Sequence, residues 1–163
     1  MIWKSINSFD QNNYFTQGLI RKKVIDCLLE SKSENLVGVG GEFYGYFVCL
    51  KNYKKYFGFT NNLDIYKDSV FNSNLYFKEG KCTTKYLDHY SKIKKLDHHN
   101  CDCIVNLSSI PMFIIEFLNK SKLNSIVVIS CSIKNSKKLS KLSYKLTEVN
   151  YIGRVFIYLY KKK

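Results

Sequence analysis

Three groups of residues in this sequence could do chemistry. The first is Cys131, in "ISCS", at the end of the apolar run "NSIVVISCS" (124–132). A cysteine thiolate is a strong nucleophile when a base or cation stands beside it. No partner base can be paired with Cys131 from the sequence, so the expectation is no catalytic residue. The second group is "DHHNCDC" (97–103), with His98, His99, Cys101 and Cys103, all of them zinc-type ligands. However, Cys101 and Cys103 open an apolar strand and share one of its faces, at a spacing tighter than a CxxC knuckle. Buried thiols, surface histidines and no metal are expected. The third is "NLVGVGG" (35–41), a short apolar run ending in glycines, the kind of turn that lets a cofactor approach the backbone. Taken alone it is a weak signal, and no cofactor is expected from it.

The elements that must position these residues are visible as hydrophobic pattern. Residues 14–31 place Leu19, Ile20, Val24, Ile25, Leu28 and Leu29 at helical spacing, with Arg21, Lys22 and Lys23 on the other face. Strands are expected at 35–41, 54–59, 101–107 and 124–132. Helices are expected at 43–53 and, opened by Pro111, at 110–122. Residues 62–85 read as an irregular or helical excursion, 133–146 as a Lys/Ser-rich connection, and 151–163 as an apolar helix or strand, helix preferred, with a basic tail. Apolar strands alternating with helices predict an α/β domain with a parallel sheet, a single domain over 1–163. Its polar strand ends, Gly40-Gly41, Thr60-Asn61, Ser108-Ser109 and Ser130–Ser132, should gather at the carboxyl edge, where such sheets carry function.

Composition sets the partner. The chain has 26 basic and 13 acidic residues, a net charge of +13. A polyanion is the natural partner, and nucleic acid is the commonest. There is no alanine, and Arg21 and Arg154 are the only arginines among many lysines. That bias matches A/T-rich codons and an A/T-rich genome. No targeting segment is visible, and no apolar run is long enough for a membrane span. The six cysteines form no CxxC pair, which reads as free thiols in a reducing compartment.

Two families are resembled at the carboxyl edge. "VGVGG" and "ISCS" resemble nucleotide-type methyltransferases, the latter the nucleophile loop of methylases that modify uridine carbon five in RNA. That chemistry asks for a ribose-binding carboxylate where Thr60 stands, and for an acidic or Asp-Pro-Pro-type motif where Asn106-Leu107-Ser108 stands. This resemblance therefore implies an inactive, RNA-binding or accessory copy. In the second resemblance, "YFGFTNN" (56–62), "YSKIKKLDHHNCDCIVNLSS" (90–109), "IIEFLNKSKLNSIVVIS" (114–130) and "LSYKLTEVN" (142–150) resemble, in order, segments of the small-subunit ribosomal protein two family. It implies a Rossmann-like three-layer domain, with a mostly parallel sheet flanked by helices and a shortened excursion at 62–85 in place of a helical hairpin. It further implies a non-catalytic component of the small ribosomal subunit, bound to small-subunit rRNA and neighbouring ribosomal proteins, with a mitochondrial location. This second resemblance is the preferred reading, with candidate phosphate contacts at Arg21, Lys22, Lys23, Lys92, Lys94, Lys95, Lys134, Lys137, Lys138 and Lys141. Lys161–Lys163 add a basic tail. Tyr56 and Phe57 are expected in the core, and Thr60 or Asn61 at a helix cap.

Overall fold

A computed structural model describes residues 14–40, 53–94 and 100–163. The predicted helix at 43–53, along with Lys95, His98 and His99, falls wholly or largely outside these residues. The elements run α1 (Tyr14–Leu29), β1 (Asn35–Gly40), β2 (Lys55–Thr60), α2 (Leu63–Tyr76), β3 (Cys82–Tyr86), a 3-10 turn (Tyr90–Lys92), β4 (Cys101–Asn106), α3 (Met112–Lys120), β5 (Leu123–Ser130), α4 (Asn135–Leu139), β6 (Lys145–Ile152) and β7 (Val155–Lys161). They build one seven-stranded sheet of order β3-β2-β1-β4-β5-β7-β6. β1 to β5 are mutually parallel, and β7 lies antiparallel between β5 and β6. The expected α/β class with a mostly parallel sheet flanked by helices is what forms.

Strand side chains alternate between two apolar layers. On one face Leu36, Ile104, Val127, Ile157 and Leu159 pack against Ile20, Val24 and Leu28 of α1. On the other Val37, Val39, Cys103, Val105, Ile126 and Val128 pack against Ile114, Phe117 and Leu118 of α3 and Leu139 of α4. The central strands are apolar on both faces and buried almost throughout, as a sheet covered on both sides requires. Among the described residues no helix is long and apolar enough to cross a membrane.

Two segments depart from expectation. Residues 62–85 form α2 followed by the edge strand β3, with no helical hairpin. Asn62 caps α2 by accepting the Ile65 N–H (3.0 Å), with Asp64 in the first turn; the cap is thus Asn62, just past the expected Thr60 or Asn61. The amphipathic sense of α2 is reversed. Asp68, Ser69 and Asn72 are buried, while Val70, Phe71, Leu75 and Tyr76 are exposed. That reversal hides the helix from a hydrophobic-face search. The end of the chain, read as a helix, is the β6–β7 hairpin. "VFIYLY" is buried on both faces, so it lacks the period-two pattern that marks a strand. Its β-branched and aromatic residues decide the conformation. The two-residue turn has positive φ at Gly153 (52°) and Arg154 (73°), as a primed hairpin turn needs.

A polar knot closes the amino edge of the sheet. Asp102, fully buried at the start of β4, accepts the hydroxyls of Tyr53 (2.6 Å) and Ser33 (2.9 Å). Asn124 donates to Ser33 Oγ and Asn100 Oδ1. Burial, and then the Asp102 carboxyl, hold the Tyr53 phenol far above its usual range. Removing the Tyr53 hydroxyl leaves a buried carboxyl short of a donor, so Tyr53→Phe is expected to cost about 1–3 kcal/mol. The phenol's stabilising contribution is complete below the unfolded tyrosine value of about 10 and is lost above it, because the native state then holds a proton that the unfolded chain has released. Urea melts from pH 8 to 11 should show stability falling above about pH 10, less steeply in Tyr53→Phe.

Candidate active site at the carboxyl edge

The sheet order reverses at β1. The chain runs outward through β2 and β3, then returns to lay β4 on the other side of β1. In open parallel sheets that reversal opens a crevice beyond the strand ends, and ligands bind there. Here its walls are the ends of β1 and β4, where Gly40 pairs in register with Asn106. Gly40 has φ +110°, and a Cβ on it would lie 2.2 Å from the Asn106 carbonyl oxygen. Only glycine permits this approach.

Beside it, β2 ends at Thr60, 2% exposed. Its carbonyl accepts the Leu87 N–H (2.8 Å) and its hydroxyl accepts the Asn62 N–H (3.1 Å). The Asn61 N–H donates to the buried Tyr90 hydroxyl (3.3 Å), and burial raises the Tyr90 pKa. Strand, turn and 3-10 segment are thereby locked, and Asn61 is left exposed beside the crevice. After β3, Asp88 accepts from Lys92 Nζ (2.6 Å) and the His89 N–H (2.9 Å), and these bonds hold its carboxyl below the usual range.

On the far side, one residue the sequence did not single out joins β4 to β5. Asn135, 2% exposed, accepts the Ile110 N–H (3.2 Å) and donates to the Ser108 carbonyl (3.0 Å) and Ser130 Oγ (2.6 Å). Nothing in the sequence separates it from an ordinary asparagine at the start of a helix. Just past β5, the Ser130 hydroxyl accepts the Ser132 N–H and donates to the Ser132 carbonyl, both at 3.2 Å. This closes a tight turn and leaves Cys131 exposed on it. The other described cysteines are buried or half-buried. Burial pushes the Cys82 and Cys101 thiols up to about 11 and raises Cys103 further. Among the described residues no metal-ligand cluster occurs, and Cys101 and Cys103 both lie inside β4.

The candidate phosphate contacts do not share one surface. Arg21, Lys22 and Lys23 lie on α1, on one face of the sheet; Lys22 pairs with Asp26 (3.3 Å) and Lys23 with Glu148 (2.5 Å). Lys92 pairs with Asp88, and Lys94 is exposed just beyond it. Lys134, Lys137, Lys138 and Lys141 lie in and around α4, on the opposite face. Tyr56 is buried in the core, as expected, and Phe57 is half-buried.

The seven-stranded, mostly parallel sheet flanked by helices matches the folds of several solved methyltransferases. Among solved structures, the Pyrococcus abyssi tRNA (uracil-54, C5)-methyltransferase bound to S-adenosyl-L-homocysteine matches with TM-score 0.70 and 17% identity, over 95% of this chain and 40% of that one. This chain thus spans less than half of that enzyme's length. The ribosomal protein L11 methylase of Lactobacillus delbrueckii subsp. bulgaricus matches with TM-score 0.67 and 13% identity, over 99% and 85%. The precorrin-6y C5,15-methyltransferase of Geobacter metallireducens matches with TM-score 0.67 and 12% identity, over 100% and 98%. No protein-family profile and no curated protein sequence matches the chain.

These matches overturn the small-subunit ribosomal protein reading, and with it the structural, non-catalytic role among ribosomal-protein neighbours. The ribosomal and mitochondrial assignments tied to it are left without support. The resemblance had rested on short segments around the strand ends. Two α/β folds can share such segments, because both must end apolar strands in small polar residues.

The residues present fit an S-adenosyl cofactor. β1 ends in a glycine that lacks a side chain of its own, Asn61 has an amide for a ribose diol, and Asp88 has a carboxylate for an adenine amine. The neutral Asn61 replaces the charge-assisted acceptor that a carboxylate at the end of β2 would give, so the ribose would be held by weaker bonds. Gly40→Ala is expected to cost at least about 2 kcal/mol in urea unfolding, from positive φ and the clash with Asn106. It should also splay the crevice that the two strand ends define.

Proposed function

We propose that this chain is an S-adenosylmethionine-dependent RNA methyltransferase that methylates carbon five of a uridine, with Cys131 as nucleophile. The observation that carries the reading is the exposed Cys131, set by the Ser130–Ser132 turn at the carboxyl end of β5. The same edge holds the Gly40–Asn106 crevice. The net charge of +13 suits an RNA substrate, and the Pyrococcus enzyme of this fold acts on a tRNA uracil.

Carbon five of uracil is a weak nucleophile. The Cys131 thiolate adds to C6 and forms a C–S bond, which turns C5 into an enolate carbon. S-adenosylmethionine held in the crevice would supply an electrophilic methyl group, which the C5 enolate carbon would take as the sulfonium becomes a thioether. The C5 proton then passes to water, the C6–S bond breaks, and the Cys131 thiolate is restored. Asn135 keeps the turn before Cys131 and the loop after β4 in fixed register, the placement that a near-attack geometry needs. Asn61 and Asp88 would hold the ribose and adenine ends of the cofactor.

Uridine-containing RNA incubated with the chain and methyl-labelled cofactor should take up label, and Cys131→Ser should lower the rate at least about a thousandfold. RNA carrying 5-fluorouridine should stay covalently attached to wild type on a denaturing gel, because fluorine cannot leave C5 as a cation. Undiminished transfer by Cys131→Ser, or no transfer by wild type, would contradict the proposal.

A further inference from the structure

On the sheet face that carries α4, a cleft of about 280 Å³ lies between that helix and the β6–β7 hairpin. Tyr144, Tyr158 and Tyr160 wall it, with Leu139, Leu142 and Leu146. A row of rings continues from the cleft toward Cys131. Phe156 stacks on Tyr158, with centroids 6.0 Å apart and planes 22° from parallel, and Tyr151 lies 4.8 Å from Phe156. The row ends in the open: Tyr151 is 63% exposed. Phe156 pairs in register with Ser130, the residue before Cys131, so row and nucleophile meet at one edge.

The opposite rim is basic. Residues 133–147 carry Lys134, Lys137, Lys138, Lys141 and Lys145 and no carboxylate. Among the described residues none of the five takes part in an ion pair, whereas Lys22, Lys23 and Lys92 are each committed to an acid. Clustered cations repel one another, and a row of phosphates relieves that repulsion. The exposed Tyr151 ring, with the half-buried Phe156 behind it, beside such a rim matches the pairing that proteins use for unpaired strands, with bases on rings and phosphates on lysines. In a duplex the base faces are already stacked on each other, so this surface selects a single strand.

We infer that the trough between α4 and the hairpin binds a single-stranded RNA segment, with about one or two bases on Tyr151 and the open side of Phe156, backed by the buried Tyr158, and leads it to Cys131. The inference rests on the RNA reading above but not on catalysis. Its test is fluorescence anisotropy with a labelled ten-nucleotide oligouridylate, beside a hairpin duplex of the same length, in 50 and 200 mM salt. Tyr151→Ala should weaken single-strand binding about tenfold. The triple Lys137→Gln, Lys138→Gln, Lys141→Gln variant should lower the log–log salt slope by about 2. Lys22→Gln, on the other face, should bind as wild type does. Thermal melts confirm that these surface variants are folded. Duplex bound as tightly as single strand, or wild-type affinity in both the Tyr151 and the lysine variants, would overturn the trough. Lost RNA affinity in those variants, with no methyl transfer by wild type, would leave the trough standing and sink only the catalytic proposal.

Discussion

The close approach of two backbones, Gly40 on β1 and Asn106 on β4, is the constraint on which the rest depends. β1 and β4 stay paired to their last residues only because Gly40 brings no Cβ against the Asn106 carbonyl. Since the sheet reverses direction between these strands, that pairing sets the floor of the crevice beyond them. The polar strand ends on either side are then anchored locally. Thr60 and Tyr90 fix the exit from β2, and Asn135 fixes the exits from β4 and β5. Each anchor satisfies buried backbone groups that would otherwise be costly to leave unpaired.

The two ends of the sheet divide the work. At the amino edge a buried carboxyl, two hydroxyls and an amide close on one another. At the carboxyl edge polar groups are left exposed: Asn61, Asp88 and Cys131. The faces divide similarly. The cations of α1 pair in part with local acids, whereas among the described residues those around α4 take part in no ion pair and lie beside a cleft and a row of rings. In the proposed reaction the methyl donor, Cys131 and the RNA would meet at this edge.

The sequence was most legible where pattern and burial agree. β1, β2, β4, β5, α1 and α3 lie within a residue or two of their expected places, because their apolar runs are long and bounded by glycine, proline or polar clusters. The gathering of Gly40, Thr60, Ser108 and Ser130–Ser132 at one edge follows from the parallel class alone. At 62–85 a helix stayed one of two alternatives, because α2 buries its polar side and exposes Phe71 and Leu75, and β3 was missed because it is a short, largely exposed edge strand. β7 was mistaken for a helix because a strand buried on both faces has no alternation. Asn135 gave no signal, since its three partners, Ser108, Ile110 and Ser130, come from loops that only the fold brings together. Cys131 was noticed but left without a role, because the turn that exposes it depends on a Ser130–Ser132 hydrogen bond that spacing alone does not reveal. The family reading failed where short, loosely matched segments outweighed strand order, a property of the whole sheet that the sequence carries only indirectly.

The central claim is that the Gly40–Asn106 crevice is a cofactor site. Calorimetric titration of the intact chain with S-adenosyl-L-homocysteine tests it most directly, free of any question about the RNA substrate or the competence of Cys131. The account predicts saturable binding at one site per chain with a dissociation constant of about micromolar order, abolished by Gly40→Ala in protein shown by its melt to be folded. No heat of binding at millimolar ligand, or binding unchanged by Gly40→Ala, would contradict it.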